Sequence, residues 1–268
     1  MDLTKVLIIL IAVLILITLY VIIKLNKFMR AILNEDKKEF NINTDFNVEN
    51  EIENSKLQSN NQNLTKLKEI NSEINIEEAQ QFVQHTLISM FRTIEEYNMY
   101  NISYYSDLIY YKLKDIISKQ KELQQNEYFK NVNIHSVYLV DVEGSKGYTS
   151  LVFEINISLK HYIQQNTEII FGNPDETIAD RYIISIVYVD NVAEMEYETK
   201  RTNIHGVNCP NCGESLRELK DIECMVCGND NSSLIEKRFV AIDFNRGWDR
   251  KKLEPNIRRY NMVPIFLF

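Results

Sequence analysis

The sequence predicts an α+β domain: two amphipathic helices packed on a curved antiparallel sheet, set behind a separate apolar helix near the N-terminus. Three observations predict it. Val6 to Ile23 is an uncharged apolar run. From Glu77 to about Gln124 apolar residues recur at helical spacing. From Asn133 onward that spacing gives way to alternation with a period of two.

The first run reads VLIILIAVLILITLYVII, with only Thr18 and Tyr20 outside the aliphatic and alanine set. Eighteen residues rise about 27 Å as a helix, close to the roughly 30 Å hydrocarbon core of a bilayer. Tyr20 sits near one end, where an amphipathic ring suits the interface. A cleaved signal peptide needs a shorter apolar region and a small-residue cleavage site. Here Lys24, Leu25, Asn26 and Lys27 follow, with no Ala-x-Ala. An uncleaved single-pass anchor over residues 1–30 is therefore expected. Lys24, Lys27, Arg30, Lys37 and Lys38 outnumber the cations before the run. The positive-inside rule then puts the N-terminus outside and the C-terminal domain in the cytoplasm.

Residues 31–76 are polar, with isolated apolar side chains and no sustained period. Such a stretch cannot repay its ordering entropy, so a flexible tether is expected. The folded domain is expected over 77–206 together with 233–246. Phe82, Leu87, Met90, Phe91 and Ile94 form the stripe of its first helix. Leu108, Tyr111, Leu113, Ile116, Ile117 and Leu123 form that of a second, from Ser103 to Gln124, with Asn101 or Ser103 as N-cap. Asn133–Val142 and Tyr148–Tyr162 read as strands around a Glu143–Gly147 turn, and Gly172–Asp175 as a further turn. Arg181–Val189 and Val192–Thr202 read as a second hairpin, and Leu234–Phe244 as the last strand.

Between these last two elements lie Cys209-Pro210-Asn211-Cys212-Gly213 and Cys224-Met225-Val226-Cys227-Gly228. They are the only cysteines of the chain. Each C-x-x-C-G is a tight turn in which the glycine can adopt positive φ and bring backbone amides toward sulfur. Two such turns facing each other make a closed tetrahedral set of Cys209, Cys212, Cys224 and Cys227. Zinc is the expected ion, although iron also accepts four thiolates. Four protein ligands leave no position for a reacting water, so the role is structural. A disulfide reading conflicts with the predicted cytoplasmic location. The ribbon is expected over 207–232.

Two amphipathic helices, then strands, then Val207-Asn208-Cys209-Pro210-Asn211-Cys212-Gly213 and Cys224-Met225-Val226-Cys227-Gly228, then a final strand: this order resembles bacterial proteins of the Tim forty-four-like family, from Glu77 to Phe244. The resemblance implies a cone-shaped fold similar to nuclear transport factor two and cystatin-like sheets. It also implies peripheral membrane association and a scaffold or transport-related role. The chain departs from the family in carrying its own apolar N-terminal run and in placing Trp248 beyond Phe244-Asn245-Arg246-Gly247.

Other candidates are weaker. His135, Tyr138, Asp141, His161 and Tyr162 fall on predicted strands, where a lone His or Tyr is usually structural. No Ser-His-Asp, phosphate-loop or H-E-x-x-H signature is present. His205 lies near the ribbon, but four cysteines already complete a ligand set. Tyr97, Tyr100, Tyr104, Tyr105, Tyr110 and Tyr111 cluster around the interhelical turn, as a partner surface or a cap on the sheet. The stretch from Arg246 into the tail 247–268 pairs Arg246, Arg250, Lys251, Lys252, Arg258 and Arg259 with an apolar end, a combination that docks on anionic lipid or on the domain itself. The net charge is −8, and Glu214, Glu218, Asp221 and Glu223 outnumber Arg217 and Lys220 inside the ribbon, which argues against a nucleic-acid partner. The expected function is a membrane-anchored, non-enzymatic interaction or scaffold domain with an unidentified protein partner. The alternative is a ligand-binding or enzymatic cone domain that uses the concave face of the sheet.

Overall fold

The computed structural model describes residues 46–247. The chain divides into two units, Met1–Ile52 and Glu53–Phe268. Of the first, only the opening turns of helix α1 (Phe46–Ile70) are described. Among the described residues no helix is long and apolar enough to cross a membrane. The predicted span Val6–Ile23 and the tail beyond Gly247 lie outside them.

The second unit is α+β, with helices packed on one face of a mixed sheet. Helix α1 corrects the expected tether. Its few apolar residues include Leu64 and Leu67, which join the main core; Leu67 is 3% exposed. Helix α2 (Ile76–Glu96) begins at Asn75, whose side chain accepts the amides of Glu77 and Glu78. Those two carboxylates also suit the positive end of the helix dipole. The helix stops at Tyr97, in left-handed conformation at φ 53°. It buries Ala79, Val83, Leu87, Met90, Phe91 and Ile94, nearly the predicted face.

Helix α3 (Asp107–Leu123) starts later than expected. The preceding residues make a 3-10 turn, Met99–Asn101, capped by Asn98, and a short strand β1 (Tyr105–Ser106). Ser106 takes the N-cap place, but its hydroxyl donates to the Ile242 carbonyl at 2.8 Å. The buried face is Ile109, Leu113, Ile117 and Gln120. The predicted stripe residues Leu108, Tyr111 and Leu123 are exposed.

Strands β2 (Gln125–Ser145) and β3 (Tyr148–Gln165) form a long hairpin closed by Lys146–Gly147. Both outrun their predicted ends. Bulges between Lys130 and Asn133, Ile134 and Ser136, and Leu139 and Asp141 bend β2. They also break its alternation. Strand β4 (Glu168–Gly172), absent from the sequence reading, pairs with the end of β3. The predicted turn follows it, with the Asn173 side chain accepting the Asp175 amide at 2.9 Å.

Strand β5 (Ile178–Val189) pairs with β3 on one side and with β7 (Arg238–Arg246) on the other. The expected second hairpin is therefore wrong. β7 occupies β5 from Tyr182 to Val189, and Val192–Thr202 instead holds a 3-10 turn at Val192–Glu194 and a short helix α4 (Tyr197–Lys200). Strand β6 (Ile204–His205) and helix α5 (Ser232–Ile235) flank the cysteine segment. The sheet order is β2-β3-β5-β7-β1-β6, antiparallel except for β1 beside β7.

The two faces of the sheet bury different partners. On β5, Tyr182, Ile184, Ile186 and Tyr188 join the helical core. Val187 and Val189 join a second cluster with Val240 of β7 and with Val207, Leu216 and Leu219 of the cysteine segment. The ribbon is thus seated on the sheet face away from the helices.

α1 covers the free edge of β2. Asn60 Oδ1 accepts the Leu139 amide at 2.8 Å, and Asn63 donates to the Leu139 carbonyl at 3.0 Å. Lys66 donates to the Val142 carbonyl. Unpaired strand edges template aggregation, and a covering helix removes that hazard.

Candidate metal centre

The backbone of the ribbon is a short antiparallel pairing that carries two knuckles. Ile204 N–H donates to Arg217 O at 2.8 Å, Leu216 N–H to Val207 O at 2.9 Å, and Leu219 N–H to Thr202 O at 3.1 Å. Leu216 and Leu219 point into the second cluster, at 4% and 0% exposure. This pairing fixes the first knuckle beside the sheet. The second is held by Asn231, whose amide donates to Ile222 O at 2.6 Å.

Each knuckle closes identically. Gly213 N–H donates to Cys209 O at 2.9 Å, and Gly228 N–H to Cys224 O at 2.8 Å. Cys209 N–H returns to Glu214 O and Cys224 N–H to Asn229 O, each at 2.8 Å. The closure requires φ of +77° at Gly213 and +68° at Gly228, the left-handed region that a side chain disfavours.

All four sulfurs lie within 4.8 Å of one another. The short approaches run between knuckles: Cys209 to Cys227 at 3.7 Å and Cys212 to Cys224 at 3.6 Å. A tetrahedron with metal–sulfur bonds near 2.3 Å has edges of about 3.8 Å. The separations fit that figure and are far from the roughly 2.05 Å of a disulfide. Cys209 and Cys224 are buried, while Cys212 and Cys227 are exposed. The four predicted ligands therefore converge, and their spacing suits a single thiophilic cation.

Their titration fits the same picture. The Asn211 side chain, then the Asn229 amide, hold the Cys227 thiol down to about 6. At Cys212 the Glu214 amide pulls down, but lost hydration and hydrogen bonds with the neighbouring thiols outweigh it and push the group up to about 12. A divalent cation bound by thiols deprotonates them outright.

The remaining candidates are engaged elsewhere. His205 Nε2 donates to Asp107 Oδ1, 2.6 Å away, and the ring stacks on Tyr110 at 4.6 Å between centroids. It is a side wall of the α3 N-terminus, not a ligand. His161 is buried, bonded to Glu127 at 2.7 Å, and stacked on Phe129. His135 is exposed and bonds Ser158, Tyr162 stacks on Tyr128, and Asp141 lies 3.8 Å from Lys66. The tyrosine cluster divides. Tyr97 bonds Asn126 at 2.7 Å and Tyr105 is buried, while Tyr100 and Tyr111 are exposed. The sequence reading passed over Met225 and Val226, the exposed tip of the second knuckle, at 90% and 67%. An apolar pair between two ligands was the available signal.

No model of a known protein family matches the chain, and no curated protein matches it either.

Proposed function

We propose that the chain is a membrane-anchored, non-enzymatic interaction domain at the cytoplasmic face, held in shape by one structural zinc ion on Cys209, Cys212, Cys224 and Cys227. The observation that carries the reading is the ribbon itself. Its four sulfurs are spaced for a tetrahedral ion and leave no fifth protein-free position for chemistry. Its inner side is buried on the sheet, while its outer tip offers Met225 and Val226 to solvent. A rigid knuckle that presents an unbranched, polarizable methionine is a suitable protein contact. The apolar run Val6–Ile23 supports the anchor, and the lysines after it support the orientation. The order of two helices, sheet and late ribbon supports a Tim forty-four-like scaffold role.

The test has two parts. Elemental analysis of the purified full chain is expected to give one zinc per chain, and none for Cys212→Ser/Cys227→Ser. Crosslinking in native membranes is expected to trap a protein through a photoreactive residue at position 225 and to fail when Val226 is replaced by Asp. Zinc below half an equivalent, or crosslinks unaffected by Val226→Asp, would remove the respective half of the proposal.

A further inference from the structure

A cavity of about 240 Å³ lies between α2, α3 and the ends of β2, β5 and β7. Leu87, Met90, Phe91, Ile116, Tyr182 and Phe244 supply apolar and aromatic wall. Two charged side chains also line it, Glu127 and Arg246. Both are engaged within the protein. Glu127 meets Gln120 at 2.6 Å and His161 at 2.7 Å, and Arg246 Nε lies 2.6 Å from Oδ2 of Asp180. What the wall leaves to be covered is therefore mainly apolar surface, which is unfavourable when open to water.

The described chain ends on the rim of this cavity. Phe244 and Arg246 are the wall residues of β7, and Gly247 follows them, buried against β5. Its carbonyl accepts from Arg181 Nη2 at 3.1 Å, and a Cβ at this position would meet the Arg181 side chain at 2.5 Å. The chain is thus still pressed on the domain where its description stops. The next residue is Trp248, the only tryptophan in the sequence. Two residues of chain span at most about 7 Å, so the Trp248 Cα lies within that distance of the Arg246 Cα. An engineered apolar cavity of about 150 Å³ accommodates benzene, so the larger space here is in proportion to a two-ring indole. The chemistry agrees as well. An indole has an apolar body and one N–H donor, with no acceptor. The wall offers apolar and aromatic contacts and one carboxylate, Glu127, which can accept more than the two hydrogen bonds it already takes.

We infer that Trp248 docks its indole in this cavity and closes it. The occupant is then a segment of this chain, and the space is a completed part of the core rather than an open ligand site. The cations that follow, Arg250, Lys251 and Lys252, depart from a fixed point on the domain. The inference goes beyond the interaction-domain reading and does not depend on the ribbon.

The experiment uses the full chain in detergent micelles. Tryptophan emission reports on Trp248 alone, because the chain has no other tryptophan. Burying an aromatic side chain favours the docked state by at least about tenfold, so acrylamide is expected to quench the native chain at least about tenfold less than the chain unfolded in guanidinium. Trp248→Ala is expected to open the cavity to free indole, titrated by calorimetry with empty micelles as blank. The variant is expected to bind indole at least about tenfold more tightly than the wild-type chain does. Adding Ile116→Trp to Trp248→Ala refills the cavity from α3 and is expected to remove that binding, with circular dichroism establishing that both variants fold. Equal binding of indole by wild type and Trp248→Ala would make the cavity an open ligand site and overturn the inference. Wild-type emission quenched as in the unfolded chain would overturn it too. So would a folded Trp248→Ala that binds no indole, since a protected tryptophan would then sit in the micelle.

Discussion

Replacing Leu219 by Ala tests whether ribbon and sheet form one cooperative unit held by the metal. Leu219 is fully buried in the cluster that joins the ribbon to Val187, Val189 and Val240. Truncating such a leucine costs about 2–5 kcal/mol, the spread reflecting how far the site collapses. For a domain of about 200 residues, each kcal/mol lowers the melting midpoint by about 2–4 °C, so a mid-range cost of about 3 kcal/mol is about 6–12 °C. The assay is calorimetry of the zinc-loaded chain, repeated after removal of zinc by a chelator. Small ribbons fold only with their metal, so chelation dismantles the pocket around Leu219. The same substitution is then expected to shift the midpoint by no more than about 2–4 °C, a cost near 1 kcal/mol. An equal drop with and without zinc would refute the reasoning, because the ribbon core would then stand without its ion.

Other perturbations address other parts. Asn60→Ala removes the acceptor of the Leu139 amide; it is expected to cost about 1 kcal/mol and to speed hydrogen exchange at Leu139 while leaving Phe153 in the sheet interior slow. Gly213→Ala meets no atom within 4 Å, so its cost is the left-handed backbone alone, about 1–2 kcal/mol, read as roughly tenfold weaker zinc retention against a competing chelator. The ion pair of Glu73 and Lys237 sets a pH window. Hydrogen bonding to Lys237 lowers the Glu73 pKa below its ordinary 4.5, so that contribution is present above 4.5 and is lost as pH falls through the lowered value. The same bond raises Lys237 above 10.5, so its contribution is present below 10.5 and is lost as pH rises through the raised value. Denaturant midpoints of wild type and Glu73→Gln are expected to differ between those limits and to converge below the lower one.

The parts legible in the sequence are those written as local pattern. β3 alternates from Phe153 to Leu159 because the extra residues of the three bulges all fall on β2, and β5 pairs with β3 in unbroken register. The metal ligands are legible because two knuckles need the same five-residue code. What escaped depends on tertiary partners. α1 is polar, and its place on the domain rests largely on Asn60, Asn63 and Lys66 reaching backbone groups of an edge strand. No apolar period records such bonds. Val192–Thr202 has strand composition, but the ladder position it would fill belongs to β7, some forty residues later in the chain. The face of α3 was read in part: Leu113, Ile116 and Ile117 of the predicted stripe meet the core, whereas Leu108, Tyr111 and Leu123 are exposed and Ile109 is buried instead.

The folding of α1 onto the edge of β2 also sets a length. On the proposed anchor, Lys24 to Asp45 are the only residues between the span and the first described helix, 22 in number. Fully extended, they reach no more than about 80 Å. A slack stretch running on to Asn75 would have reached more than twice as far. The volume a tethered domain can sample scales with the cube of that reach, so on such an anchor α1 would confine the domain to less than about a tenth of it. A partner fixed in the same bilayer patch would then be met at a correspondingly higher effective concentration, without a single added contact.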